Sequence, residues 1–249
     1  MLVLLVLSAL TAALVAGKAH AYLPADDGIT YRYTREQLVA MYPGTYFFAG
    51  PGGTTKLALT FDDGPDDQAT VRILNILKEN SVRGTFFLIG KHAQVHPAIV
   101  RRIAAEGHTI ANHTWSHRNM ARLAPYQARR EIKDTQELLE RLTGHRTALV
   151  RLPWGSASPE VMELVQKDGY RVIGWSADSH DWLEPQPSKI LAGLDAQVRP
   201  GAIILMHSIV FPGTQEVTVR VLPALIKELK AQGYQFVTVD ELLHIPAYG

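Results

Sequence analysis

The sequence has no cysteine. No disulfide can form, and any metal must be held by histidine and carboxylate side chains. It also lacks a large net charge of either sign, since 25 Lys and Arg against 24 Asp and Glu leave only +1. That removes the broad electrostatic case for nucleic acid or another polyanion as partner. No internal repeat or low-complexity tract interrupts the chain. The N-terminal apolar run has no Lys or Arg before it, which is the one element missing from an export signal. Met1 to Gly17 is almost wholly apolar and carries no charge, and Ala19-His20-Ala21 places small residues where a signal peptidase reads. The expectation is a secretory signal peptide at 1–21, cut after Ala21, with an uncleaved anchor as the alternative. The run is a little short for a transmembrane span.

What is present suits a globular protein. The chain has 249 residues, 47% hydrophobic and 20% charged, enough for a sizeable core. Residues 22–54 are polar, with Pro24, Pro43 and Pro51, and read as a lead-in segment with a short helix at 34–41. From Lys56 a regular pattern begins, so the domain is placed at 55–249. Short runs bounded by Gly or Pro, several apolar throughout, predict strands at 56–61, 84–89, 108–112, 148–152, 171–177, 202–207 and 235–239. Between them, helices are predicted at 69–79, 98–106, 125–142, 159–167, 188–198 and 217–231, with Gly107, Gly144, Gly169 and Gly233 at expected helix stops. Seven rounds of strand and helix imply an α/β fold with a parallel sheet.

The polar residues fall into place on that map. Asp62 and Asp63 follow the first strand, His113 the third, and Asp178 and Asp181 the fifth. Arg151 ends the fourth and His207 the sixth. All lie at C-terminal strand ends, the face where parallel barrels and open parallel sheets build active sites. Seven strands clustered in this way favour barrel-like closure.

Each segment carries a recognisable chemistry. His113 and His117 are four apart, a spacing that can aim both imidazoles at one point. With one carboxylate they form a common catalytic zinc set, which leaves a position open for water of lowered pKa. Alone, the pair reads more readily as two solvent-exposed histidines. In Asp62-Asp63-Gly64-Pro65, one Asp can bind the metal while the other acts as general base. The same four residues can also make an ordinary turn and helix start. Arg151, ending a buried strand, needs a partner, either a structural ion pair or a catalytic carboxylate that it orients. Arg83 is a weaker candidate for similar support. His207, paired with Asp181, can be kept protonated as a general acid, or it can be a satisfied core histidine. Trp154 and Trp182 can line a sugar-sized groove or pack in the core.

Taken together, Thr60-Phe-Asp-Asp-Gly-Pro65, His113-Thr-Trp-Ser-His117, Arg151-Leu-Pro-Trp-Gly155, Asp178-Ser-His-Asp-Trp182 and Leu205-Met-His207 resemble, in order, the motifs of the polysaccharide deacetylases of carbohydrate esterase family 4, the NodB-homology domain. The resemblance covers roughly 56–243. It implies a distorted (β/α) barrel of about seven parallel strands with the active site at their C-terminal ends. It implies that Asp63, His113 and His117 bind a divalent metal, most often zinc, with cobalt or another ion as the alternative. Asp62 would then be the base, positioned by Arg151, and His207 the acid, tuned by Asp181. The backbone N–H of Trp154 would stabilise the oxyanion, Trp182 and Leu205 would line the acetyl-methyl pocket, and Pro153 would border the substrate. Trp154 stands where the family often has Tyr, and His180, inside the fourth motif, is a further candidate for substrate contact.

The expected activity is removal of N-acetyl groups from an N-acetylglucosamine-containing polysaccharide, with release of acetate. Peptidoglycan, an exopolysaccharide and chitin-type oligomers are the candidate substrates. The rivals are an O-acetyl esterase acting on a polymer such as xylan, and a non-catalytic carbohydrate-binding domain. The latter requires a missing ligand, base or acid, and none is missing. The expected partner is thus an N-acetylated glycan. No nucleic acid is expected, membrane contact only through a retained N-terminal segment, and a monomer is favoured.

Overall fold

The structure is a computed structural model that describes residues 33–213 and 216–249. The predicted export segment at 1–21 and the first part of the lead-in lie outside the described residues. The described residues belong to one compact unit. Among the described residues, no helix is long and apolar enough to cross a membrane.

In chain order the strands are β1 Tyr46–Phe47, β2 Lys56–Asp62, β3 Thr85–Leu88, β4 Thr109–Asn112, β5 Leu149–Val150, β6 Arg171–Ile173, β7 Ala177–Asp178, β8 Ile203–His207 and β9 Gln235–Val237. The helices are α1 Arg35–Met41, α2 Ala69–Glu79, α3 Gly90–Val95, α4 Pro97–Ala105, α5 Pro125–Thr143, α6 Pro159–Lys167, α7 Pro187–Gln197, α8 Val217–Ala231 and α9 Val239–Leu243. All nine strands join one sheet in the order β1-β6-β5-β4-β3-β2-β8-β7, and every pairing is parallel. β9 pairs with Lys56–Ala58 of β2, and β3 takes over from Thr60 to Asp62.

The sheet must curl. β6 and β7 lie towards opposite ends of the order, yet only three residues, Gly174 to Ser176, connect them. An extended link of that length spans roughly 10–14 Å. Ser176 N–H donates to Ile203 O, so the link itself reaches β8. From the other end, Ala49 bridges to Ala202 and Gly50 N–H donates to Gly201 O. The result is a distorted parallel (β/α) barrel with its seam at this link. The single strand predicted at 171–177 is therefore two, because its first half pairs with β1 and β5 and its second with β8. Tyr46–Phe47, read from the sequence as lead-in, is a strand of the sheet. Two residues are too few to show a period of two.

Alternation sorts the strand residues. Leu57, Leu59, Phe61, Phe86, Leu88 and Ile110 face out and are covered by apolar helix stripes, such as Ile73, Leu74 and Leu77 of α2 and Val221, Leu222, Leu225 and Leu229 of α8. Ala58, Phe87, Ala111, Leu149, Ile173 and Ile203 face in and pack with Val239 and Leu242 of α9. The predicted strand 235–239 thus ends early, and Thr238 starts α9 through a capping box with Glu241. The inward layer forms a floor. Two or four residues further along the same strands, the inward positions are Thr60, Asp62, His113, Arg151, Leu205 and His207. The alternation that builds the core therefore also stacks the polar residues above it.

Candidate active site

Asp62 closes β2 and Asp63 follows it; they are 4% and 7% exposed. They diverge because Asp63 adopts a left-handed conformation, φ 71°. Gly64 follows of necessity, since a Cβ there would lie 2.3 Å from Ser208 Oγ. Asp62 Oδ1 accepts from Arg151 Nη1 at 2.7 Å, and its Oδ2 lies 3.6 Å from His113 Nε2. Arg151 is 1% exposed, and each of its three side-chain nitrogens donates locally. Nη1 also donates to Thr60 Oγ1, Nε to Ile173 O and Nη2 to Gly174 O, while the guanidinium lies 4.1 Å from the centre of the Phe87 ring. The arginine therefore grips both the putting-together of the seam and one oxygen of Asp62, leaving the other oxygen turned toward the histidines.

Asp63 Oδ1 lies 3.4 Å from both His113 Nε2 and His117 Nε2, and the three ligand atoms are all within 4.8 Å of one another. A tetrahedral ion with bonds of about 2.0–2.1 Å sets its ligands about 3.3–3.4 Å apart. Asp63 Oδ1 is also buried without a hydrogen-bond partner, which is costly unless a cation completes it. His113 Nδ1 lies 2.8 Å from Arg151 O. A carbonyl only accepts, so Nδ1 carries the hydrogen and Nε2 offers its lone pair to the centre. Burial, reinforced by the neighbouring His113, lowers the His117 pKa to about 4 against the pull of Asp63, so this imidazole is also neutral and able to ligate. At His113 burial acts downward, but with no cation bound Asp62 and Asp63 outweigh it and raise the pKa, so metal binding would displace a proton from Nε2. Asp63 is held well below the usual carboxylate range, because the facing histidines overcome its burial. The residues present fit a divalent metal.

On the adjacent strand, His207 is the register partner of Asp62. Its Nδ1 lies 2.6 Å from Asp181 Oδ1, and its backbone N–H donates to Asp181 Oδ2 at 2.8 Å. Thr218 Oγ1, on the first turn of α8, donates to the same Oδ2. Burial alone would lower the His207 pKa. Asp181, with smaller pushes from Asp63 and Asp62, raises it to about 10. Asp181 itself stays low despite burial because it faces His207 and accepts these hydrogen bonds.

The aromatic candidates separate. Trp154 sits on the turn Pro153–Gly155 with φ 55°, and its ring meets His117 edge-on at 4.4 Å. Pro153 is buried beside it, and Leu205 is 4% exposed on the inward face of β8. Trp182 is half-buried on the turn that carries Asp181, and His180 sits on that turn with its N–H donating to Asp178 Oδ1. Arg83 is not at the site: it pairs with Glu241 at 2.7 Å, at the start of β3 and away from the catalytic face.

The structure adds residues that the sequence reading missed. Phe211 meets His207 edge-on at 5.1 Å. Glu131 of α5 accepts from Ser116 N–H and Ser116 Oγ, both at 2.7 Å, and so braces the loop between the two histidines. His92 lies against the Asp63 main chain. Only Glu131 left a trace, as a carboxylate on the apolar side of a helix otherwise charged elsewhere. Thr218, Phe211 and His92 carry no local pattern.

Residues 49–173, half of the chain, match the family described as polysaccharide deacetylase. The peptidoglycan-N-acetylglucosamine deacetylase of Bacillus cereus is 38% identical over 198 residues, covering 79% of this chain and 71% of that protein. The peptidoglycan-N-acetylmuramic acid deacetylase of Bacillus subtilis is 36% identical over 186 residues, covering 75% of this chain and 38% of that protein. A crystal structure of a peptidoglycan N-acetylglucosamine deacetylase, in complex with 4-naphthalen-1-yl-N-oxidanyl-benzamide, matches with a TM-score of 0.82 and 36% identity, over 86% of this chain and 99% of that one. With the motifs, the barrel and these matches in agreement, the chain belongs to the polysaccharide deacetylases of carbohydrate esterase family 4.

Proposed function

We propose that the chain is an exported, zinc-dependent hydrolase that removes N-acetyl groups from an N-acetylglucosamine-containing cell-wall or extracellular polysaccharide, most naturally peptidoglycan. One observation carries the reading. Asp62, held by Arg151, and His207, held by Asp181, are register partners on adjacent strands and flank the Asp63, His113 and His117 cluster. A base and an acid at one metal-competent centre are what hydrolysis of an amide requires.

Asp63, His113 and His117 would hold the metal, which when bound supplies Lewis-acid activation of water and of the acetyl carbonyl. Asp62 accepts the proton of the attacking water on Oδ2, while Arg151 keeps Oδ1 occupied and the carboxylate oriented. The C–N bond breaks as His207 Nε2 gives its proton to the departing nitrogen, its Nδ1 staying on Asp181. Acetate and a free amino sugar result, with one water consumed. The Trp154 N–H is the proposed donor to the oxyanion. Trp154, Trp182, Pro153 and Leu205 are the proposed walls around the sugar and its acetyl methyl.

The test is acetate release by the purified protein from peptidoglycan, chitopentaose and acetylated xylan, each with zinc and with chelator. Chelator-sensitive release from an N-acetylated glycan is expected. Release from xylan alone would assign an O-esterase instead, and no release from any polymer by zinc-loaded protein would refute the reading.

A further inference from the structure

We propose that His92 is a positioning residue of the metal site, which fixes the main chain of Asp63 so that its carboxylate meets both ligand histidines. The inference starts from the first turn of α3. The leading N–H groups of a helix have no partner within it. Here they are used to join the two loops that carry the metal ligands. Ile89 N–H donates to Gly64 O at 3.1 Å, Gly90 N–H to Thr114 O at 2.9 Å, and Lys91 N–H to Trp115 O at 3.0 Å. The approach is backbone to backbone, since a Cβ on Gly90 would lie 2.4 Å from the Trp115 ring and 2.6 Å from Thr135 Oγ1.

The next donor in the row is a side chain. His92 Nδ1 lies 2.6 Å from Asp63 O. The carbonyl can only accept, so Nδ1 carries the hydrogen and the bond fixes the tautomer. Asp63 is a non-glycine residue at φ 71°, a conformation that persists only where the surroundings determine it. On either side of this peptide, Gly64 N–H bonds back to Asp62 O and Gly64 O receives Ile89 N–H. Among the hydrogen bonds of this turn, His92 supplies the one that reaches the carbonyl of the ligand residue itself. Partners of metal ligands commonly act on the ligand side chain. In this protein the hold is on the ligand's main chain, and α3 binds the Asp63 loop and the His113–His117 loop as one body.

The inference rests on the metal reading of the site but not on the deacetylation reaction, so it can be tested without substrate. Zinc affinity of the full chain is measured by competition with a chromogenic chelator. Thermal unfolding of the metal-stripped protein is recorded in parallel. His92→Ala is expected to weaken zinc binding about tenfold or more, as loss of an outer-shell partner does. His92→Asn, whose side-chain amide nitrogen stands where Nδ1 stood, is expected to stay within about threefold of the unsubstituted chain. The metal-free melting temperatures of both should match the parent. His92→Gln, which moves the donor to the Nε2 position, replaces His92→Ala if that variant does not fold, and it is expected to be weak. Parent-like zinc affinity in His92→Ala would overturn the proposal. So would equal loss in His92→Asn and His92→Ala, which would assign the effect to ring packing. Tight zinc binding with no acetate release from any glycan would sink the proposed reaction and leave this inference standing.

Discussion

Removing the arginine at the centre of the barrel gives the sharpest test of how the site is held. Arg151 is 1% exposed and makes four hydrogen bonds, to Asp62, Thr60, Ile173 and Gly174. In Arg151→Met the stem and the contact with Phe87 are roughly kept, but Asp62, 4% exposed, becomes a buried carboxylate without its cation. Breaking a buried pair by removing one partner costs about 3–5 kcal/mol. That is a large part of the roughly 5–15 kcal/mol that stabilises a typical domain. The carbonyls of Ile173 and Gly174 also lose their donors at the seam, so part of the loss cannot be recovered elsewhere. Adding Asp62→Asn removes the uncompensated charge, and the double variant should regain about half of the loss, a coupling of about 2 kcal/mol. The assay is denaturant unfolding of chelator-treated protein for the parent, both single variants and the double variant. A loss below about 1 kcal/mol in Arg151→Met would refute the idea that the site depends on this pair. No recovery in the double variant would show that the seam, not the carboxylate, is what the arginine stabilises.

Four further outcomes are expected. Asp62→Asn should keep zinc stoichiometry and lose roughly 10²–10⁴-fold in turnover, as removal of a general base does; parent-like kcat would exclude it from that role. His113→Ala should lose the metal itself, which metal analysis of the purified protein reads directly, and unchanged stoichiometry would remove it from the ligand set. His207 is raised to about 10, so the acid form persists through neutral and mildly alkaline pH and is lost as pH rises through that value. Asp181→Asn removes the main upward push, and the alkaline limb of kcat against pH should move toward neutral; an unmoved limb would assign it to another group. His108 is buried, its Nδ1 accepts from Gly84 N–H, and burial lowers its pKa from 6.5 to about 4. Between those values the unfolded chain binds a proton that the folded chain refuses, so stability falls as pH drops, by about 2 kcal/mol from pH 8 to pH 5. Unfolding free energies of His108→Asn, whose Oδ1 can accept the same N–H, should lose much of that pH dependence, and an unchanged slope would place the titration elsewhere.

The clustering of the candidate site residues was legible in the sequence because one rule builds both the core and that cluster. Inward alternation on β2, β4, β5 and β8 sets Asp62, His113, Arg151 and His207 above Ala58, Ala111, Leu149 and Ile203, and the apolar runs that reveal the strands also give their ends. The seam was not legible. The run Arg-Val-Ile-Gly-Trp-Ser-Ala at 171–177 reads as one strand and does not say that its partner changes halfway, and Tyr46–Phe47 is too short to signal a strand. Thr238-Val-Asp-Glu241 did hold a capping-box pattern that marks a helix start, but the apolar run before it reads as strand through Val239. His92, Thr218 and Phe211 were invisible for a different reason. Each acts through a contact made by folding, and a lone His, Thr or Phe has no local signature.

Backbone strain links these hidden residues to the visible motifs. Among the described residues, eight non-glycine positions have positive φ, and five of them, Asp63, Thr114, His117, Trp154 and His180, lie inside the motifs themselves. Such conformations cost about 1–3 kcal/mol each and persist only when neighbours determine them. The neighbours are identifiable. His92 holds Asp63, Asn112 Oδ1 receives Thr114 N–H, Thr114 Oγ1 receives His117 N–H, and Asp178 Oδ1 receives His180 N–H. Four of the five strained motif residues are thus fastened by a polar group that is not itself a ligand, base or acid. Motif residues alone, grafted onto relaxed loops, would not reproduce the site. Asp63 Oδ1 stands about one tetrahedral edge from each histidine Nε2 because the surrounding fold keeps their main chain where it would not otherwise stay.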